Sequence, residues 1–141
     1  MFIIERRAWA MFQGSCLCER VSFRVTSAFQ AIGKCHCDIC RSSHGADHAT
    51  QGLVPDDSFE LTAGSDCITS FESSPGYLRC FCKICGSRLF NRHLTYGFHS
   101  VALNALIGNP DLEPAFHTYV KSKRSWVSLM DDYPKFEELP S

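Results

Sequence analysis

The 141-residue sequence contains no apolar run approaching the roughly 18 residues that cross a bilayer, which argues against a membrane helix. Charge of one sign is lacking too. The formal net charge is −1, and the only basic cluster is Lys121-Ser122-Lys123-Arg124, so neither a nucleic acid nor an anionic membrane is an expected partner. The opening MFIIERRAWAMF is no export signal, because Glu5, Arg6 and Arg7 follow the apolar residues instead of preceding them. A cytoplasmic location is the expectation. Linkers and low-complexity runs are absent, and no long segment carries a 3.6-residue apolar stripe. A single, mainly β domain is what these absences leave. Its 45% apolar and 21% charged residues are ordinary for a soluble globular chain.

Cysteine is what the sequence has in excess. There are nine, an odd number, and in a reducing compartment their thiols are free to hold metal. All but Cys67 fall in three tight clusters: Cys16 with Cys18; Cys35, Cys37 and Cys40; Cys80, Cys82 and Cys85. Clusters of this kind have metal-ligand spacing, whereas disulfide cysteines are usually dispersed.

The chain reads as short strands divided by turns. Residues 1–12 carry no recognisable pattern; residues 1–11 are set apart as an N-terminal extension, with Met11 an alternative start and one domain over residues 12–141. Arg20 to Val25 alternates polar and apolar side chains, as a half-buried strand does, and Phe29 to Cys35 is a second strand delivering the central cluster at its end. His44 and His48 are four apart, but Gly45 and Asp47 disfavour helix there, so they read as turn or pocket-wall residues. Further strands are expected at Gln51–Pro55, Phe59–Leu61, Cys67–Phe71, Tyr77–Cys82, Ser87–Arg92 and Phe98–Leu106, with a clear turn at Ser73-Ser74-Pro75-Gly76. The tail, with Pro110, Pro114, Pro134 and Pro140, reads as an irregular arm anchored by Trp126, Tyr133 and Phe136.

Cys35-His36-Cys37-Asp38-Ile39-Cys40 offers three thiols with no fourth close behind. Three protein ligands and a free position suit a catalytic zinc, whereas a structural zinc closes its tetrahedron with four. Cys80 to Cys85 repeats the C-x-C-x-x-C form, so spacing alone also allows two three-thiol sites with Cys16 and Cys18 completing either one. The preferred pairing joins Cys16 and Cys18 to Cys82 and Cys85 in a closed site, two short arms clamping one ion and tying distant segments together. Cys67 and Cys80 then read as small buried hydrophobes. His36, between two ligands in extended chain, points away from the metal.

The succession Gly14-Ser15-Cys16-Leu17-Cys18, then Cys35 to Cys40, then Arg79-Cys80-Phe81-Cys82-Lys83-Ile84-Cys85-Gly86-Ser87 resembles the glutathione-dependent formaldehyde-activating enzymes. The likeness continues through Pro114 to Lys123 and Asp131 to Phe136. It implies an Mss4-like fold of short twisted antiparallel sheets with zinc knuckles, and two zinc ions. One is structural, on Cys16, Cys18, Cys82 and Cys85; the other is catalytic, on Cys35, Cys37 and Cys40. The implied activity is that of a carbon–sulfur lyase or synthase joining a thiol and an aldehyde, glutathione and formaldehyde giving S-hydroxymethylglutathione. A pocket for glutathione, with its two carboxylates, should supply cations, Arg41 beside the open site being the first candidate and Lys123 or Arg124 in the tail following it. Three thiolates soften a zinc's charge, which favours thiol capture over water activation as the metal's part. The alternative expectation is a non-enzymatic Mss4-like module that binds a protein partner, its second site empty or closed by a further ligand such as His44.

Overall fold

The computed structural model describes residues 11–140; residues 1–10, most of the expected N-terminal extension, lie outside the described residues. Among the described residues, ten strands and one short α-helix follow in chain order: β1 (Phe12–Ser15), β2 (Ser22–Val25), β3 (Ala31–Cys35), α1 (Asp38–His44), β4 (Ala49–Pro55), β5 (Phe59–Ala63), β6 (Ile68–Ser74), β7 (Tyr77–Cys82), β8 (Arg88–His93), β9 (Phe98–Ala102) and β10 (Phe116–Thr118). They form a three-stranded sheet in the order β1-β2-β5 and a seven-stranded sheet in the order β10-β3-β4-β9-β8-β7-β6. Every pairing is antiparallel except that of β10 with β3. The chain is mainly β, as its short alternating segments require.

Alternation decides which faces meet. In β2, Phe23 and Val25 are buried while Ser22 and Arg24 are half-exposed. Phe23, Val54, Leu89, Phe90 and Val101 form the centre of the core between the two sheets. Phe23 stacks on Phe59 at 5.2 Å and Phe59 on His99 at 4.3 Å, so aromatic rings fill much of the space between the layers. Gly14 in β1 stands opposite Phe23, whose ring occupies the space of a side chain: a Cβ there would lie 2.0 Å from Phe23 Cζ. Pro75-Gly76 makes the β6–β7 turn, with Gly76 at φ +76°, a conformation that favours glycine.

Three elements depart from the sequence reading: β1 is not among the expected strands, and neither α1 nor β10 is expected. A helix covers Asp38–His44, where helix was disfavoured. Gly45 ends the helix instead of preventing it: it adopts the left-handed conformation at φ 60° and sends its N–H to Arg41 O. His48 consequently lies beyond the helix, and the spacing of the two histidines never becomes a helical i, i+4 pair. In the tail, Phe116–Thr118 joins β3 as a parallel edge strand. Three residues are too short a run for alternation to register in sequence. The rest of the arm is irregular and returns to the sheet through His117 N–H to Pro134 O and Phe136 N–H to His117 O, both 2.9 Å. Among the described residues, no helix is long and apolar enough to cross a membrane.

Candidate metal centres and the cavity beside them

Cys16 and Cys18 lie in the turn after β1, Cys82 closes β7, and Cys85 sits in the turn leading to β8. The hairpin ends bring the four sulfurs within 4.8 Å of one another. Cys16 Sγ and Cys18 Sγ are 3.6 Å apart, and Cys18 Sγ and Cys82 Sγ 3.8 Å. A zinc tetrahedron with bonds of about 2.3 Å sets its sulfurs about 3.8 Å apart, so the residues fit that ion. Neighbouring donors act unevenly here. Burial pushes the Cys16 thiol up although the Val21 N–H points at its Sγ from 3.3 Å, whereas the Ser87 side chain and backbone hold the Cys85 thiol down at about 5. Ser87 Oγ also accepts from Leu17 N–H at 2.9 Å, stitching one arm of the site to the other. Cys82 is fully buried and Cys16 nearly so, both within the core cluster.

The second centre is made by a strand end and a helix start. Cys35 is the last residue of β3, Cys37 caps the N-terminus of α1, and Cys40 lies in its first turn. Their three sulfurs also lie within 4.8 Å of one another, and no histidine or carboxylate among the described residues joins them. Cys37 Sγ accepts the Cys40 N–H at 3.3 Å, which satisfies one of the free helix-end donors. Cys40 Sγ accepts from Arg79 Nη1 at 3.5 Å and Gln51 Nε2 at 3.6 Å. Hydrogen bonds from Cys35 and Cys37, reinforced by Arg79, overcome burial and hold the Cys40 thiol far below its ordinary value; Cys35 is pushed far up by the same pairing. Such a donor set suits a soft divalent ion such as zinc. All nine cysteines are free, so no S–S link competes with either cluster.

A cavity of about 820 Å³ opens directly on Cys35, Cys37 and Cys40. Gln51 and Ser100 from the sheet, Tyr77 and Arg79 from β7, and Phe116 and Lys121 from the tail contribute to its walls. Arg79 is 6% exposed and has no carboxylate partner among the described residues; it donates to Ser73 Oγ at 3.0 Å and lies 4.1 Å over the Tyr77 ring. Its charge therefore answers that of the sulfurs.

Arg41 sits elsewhere than expected. It is 8% exposed, donates to His36 O at 3.0 Å, pairs with Asp38, and is not among the residues lining the cavity. Lys123 donates to Val127 O at 2.7 Å and Arg124 lies over the Trp126 ring, so both cations organise the tail. The cations facing the cavity are Arg79 and Lys121, the latter paired with Glu138 at the rim. His36 is fully buried and joins neither sulfur cluster; its Nε2 lies 3.0 Å from His117 Nδ1, and His117 Nε2 meets Asp131 Oδ2 at 2.9 Å. This chain of three side chains holds the cysteine loop against the tail. His44 lies 3.5 Å from Arg88 and belongs to neither cluster. Cys80 is buried in the core and Cys67 packs against it. Arg79 stands in the third cysteine motif, but the sequence reading gives it no part in the site; the available signal was a charged residue inside an otherwise apolar strand that ends in a cysteine pair.

A β-rich chain with one four-sulfur and one three-sulfur cluster, the second lining a cavity, is a chain with two candidate metal centres. The sequence profile of the glutathione-dependent formaldehyde-activating enzymes matches residues 11–122, and the chain belongs to that family. Three curated relatives bear that description as their provisional name. The Podospora anserina protein is 29% identical over 76% of this chain and 53% of its own length, the Halomonas elongata protein 28% over 84% and 81%, and the Phaeosphaeria nodorum protein 29% over 76% and 58%. The chain thus spans little more than half the length of the two fungal relatives. A crystal structure of a Rhodobacter sphaeroides protein superposes with a TM-score of 0.59 over 70% of this chain and 91% of that one, at 19% identity, and shows the same fold.

Proposed function

We propose that the chain is a zinc-dependent carbon–sulfur lyase or synthase that adds a small thiol to an aldehyde, with glutathione and formaldehyde as the substrate pair. The observation that carries this reading is the incomplete coordination set: three sulfurs, no fourth ligand among the described residues, and a cavity against them. A zinc ion held by Cys35, Cys37 and Cys40 would supply a free coordination position that favours the thiolate of an incoming thiol. Cys16, Cys18, Cys82 and Cys85 would hold the structural ion.

The protein groups have separable tasks in this reading. Arg79 and Gln51 donate to Cys40 and limit the negative charge that accumulates beside an incoming thiolate. Lys121 at the rim is placed to meet a substrate carboxylate once Glu138 yields it. Phe116 and the tail narrow the mouth and limit water around the reacting atoms. Arg41 works indirectly, fastening the His36 carbonyl and so the cysteine loop. A protein-interaction module with a closed second site would need a fourth ligand, and His44, the residue best placed in sequence, is turned to Arg88.

The test is exchange spectroscopy on glutathione and formaldehyde with protein carrying two zinc ions per chain. Catalysed interconversion with S-hydroxymethylglutathione, lost in Cys37→Ser, is the expected result. A rate no higher than the spontaneous one would refute the assignment for this substrate pair.

A further inference from the structure

A partly buried hydrogen-bond chain with a forced direction ends on the cavity wall at Tyr77. Its direction is set by Arg88, because a guanidinium only donates. Arg88 Nη2 reaches Asn91 Oδ1, so the oxygen of that amide faces the arginine and its NH2 faces away. Asn91 is 1% exposed and gives one N–H to Gln51 Oε1 at 3.1 Å and the other to Tyr77 Oη at 3.3 Å. The Gln51 oxygen is thereby used, and its NH2 turns to Cys40 Sγ at 3.6 Å. One arginine thus orients two amides and brings a donor to the sulfur.

The same logic leaves the Tyr77 hydroxyl as an acceptor from Asn91, with its own hydrogen unspent. Among the described residues the phenol oxygen has no other hydrogen-bond partner. The ring lines the cavity that opens on Cys35, Cys37 and Cys40, and the Arg79 guanidinium bridges the two, lying 4.1 Å over the ring and 3.5 Å from Cys40 Sγ. His93, beside Tyr77, is a poorer donor: its Nε2 is enclosed, and its ring stands edge-on between the Tyr77 and Phe98 rings.

The geometry points to Tyr77 as a catalytic hydrogen-bond and proton donor to the substrate oxygen that becomes the hydroxyl of the adduct. This rests on the thiol–aldehyde reaction proposed above. In the forward direction a sulfur lone pair forms the C–S bond, and the carbonyl π pair moves onto oxygen. The Tyr77 O–H proton neutralises that oxygen. The phenolate then regains a proton from solvent, balancing the one the thiol released on ionising. In reverse, the phenolate takes the hydroxyl proton as the C–S bond breaks. Burial raises the Tyr77 pKa above its ordinary 10.0, so the phenol enters the forward step protonated.

Tyr77→Phe keeps the ring and removes only the donor. Turnover should fall about 100-fold, the size usual for loss of a positioned acid. Zinc content should stay at two per chain, and glutathione affinity, read from the thiolate absorption of cobalt-loaded protein without aldehyde, should stay within twofold. Asn91→Asp tests the same point with the phenol in place and decides alone if the phenylalanine variant does not fold. Its second oxygen would accept the Tyr77 hydrogen and withdraw it from the cavity, so turnover should again drop at least tenfold. Wild-type turnover in either folded variant would overturn the proposal, as would a loss confined to metal content or thiol affinity. If the wild-type protein gives no rate above background, the thiol–aldehyde reading itself fails, and the role of Tyr77 falls with it.

Discussion

Replacing Cys37 by serine and Cys82 by serine should separate the two metal centres. Serine is a good helix N-cap, so Cys37→Ser preserves the hydrogen bond from the Cys40 N–H and avoids the roughly 1 kcal/mol that a lost cap would cost. What it removes is a metal ligand in a segment where Cys35 and Cys40 are already close in sequence. Cys82→Ser acts on a contact between Cys18 and Cys82 that spans 64 positions. Since 40 − 35 = 5, the ratio of spans is 64 to 5, and loop-closure scaling makes the long tie worth about 2 kcal/mol more in chain entropy. Metal binding adds to this: structural zinc supplies on the order of 10–16 kcal/mol in small zinc-dependent folds, comparable to the about 5–15 kcal/mol of net stability of a whole domain. Cys82 is also fully buried, so its replacement leaves a hydroxyl in the core.

Metal content by mass spectrometry and thermal melting by circular dichroism give the readout. Cys37→Ser should hold one zinc per chain and melt within several degrees of wild type, without catalytic exchange. Cys82→Ser should be unfolded or melt far lower, and a chelator should bring the wild type to the same state. Two zinc ions retained by Cys37→Ser, or equal collapse of both variants, would refute the division into a closed site that fastens the fold and an open one that does not.

Arg79→Gln removes the charged donor to Cys40. Since Arg79 helps hold that thiol in its anionic form, the second zinc should be released at higher pH on acidification, by about one pH unit, as followed with a colorimetric zinc indicator. An unchanged release midpoint would show that the guanidinium does not sense the site. His93 is kept neutral to about 4 by burial, with Arg79 adding to the effect, against 6.5 when free. Between those values the unfolded chain binds more protons than the native one, so stability falls as pH drops from 6.5 to 4. His93→Gln should make the melting temperature less sensitive to pH across that window, and parallel curves for the two proteins would contradict the assignment.

Much of this protein is written locally. Alternation in Arg20–Val25 and the Pro75-Gly76 turn marked strands and a hairpin because a strand exposes its faces every second residue. The three cysteine groups were legible for a similar reason, since ligands to one ion come in short arms. Spacing did not decide how those arms pair, because Cys80 to Cys85 repeats the form of Cys35 to Cys40. The pairing became definite when β7 and β8 brought Cys82 and Cys85 to the β1–β2 turn. Arg41 stood beside the open site in sequence, yet the first turn of α1 directs it to the His36 carbonyl, while Arg79, distant in sequence, arrives at Cys40 across the sheet. The sequence by itself determined the inventory, meaning β segments, turns and thiols at metal-ligand spacing. Tertiary structure brought the four and the three sulfurs within reach of one ion each, and it decided which cations face the cavity and that the Tyr77 hydroxyl meets Asn91, because each depends on contacts between strands that no local pattern encodes.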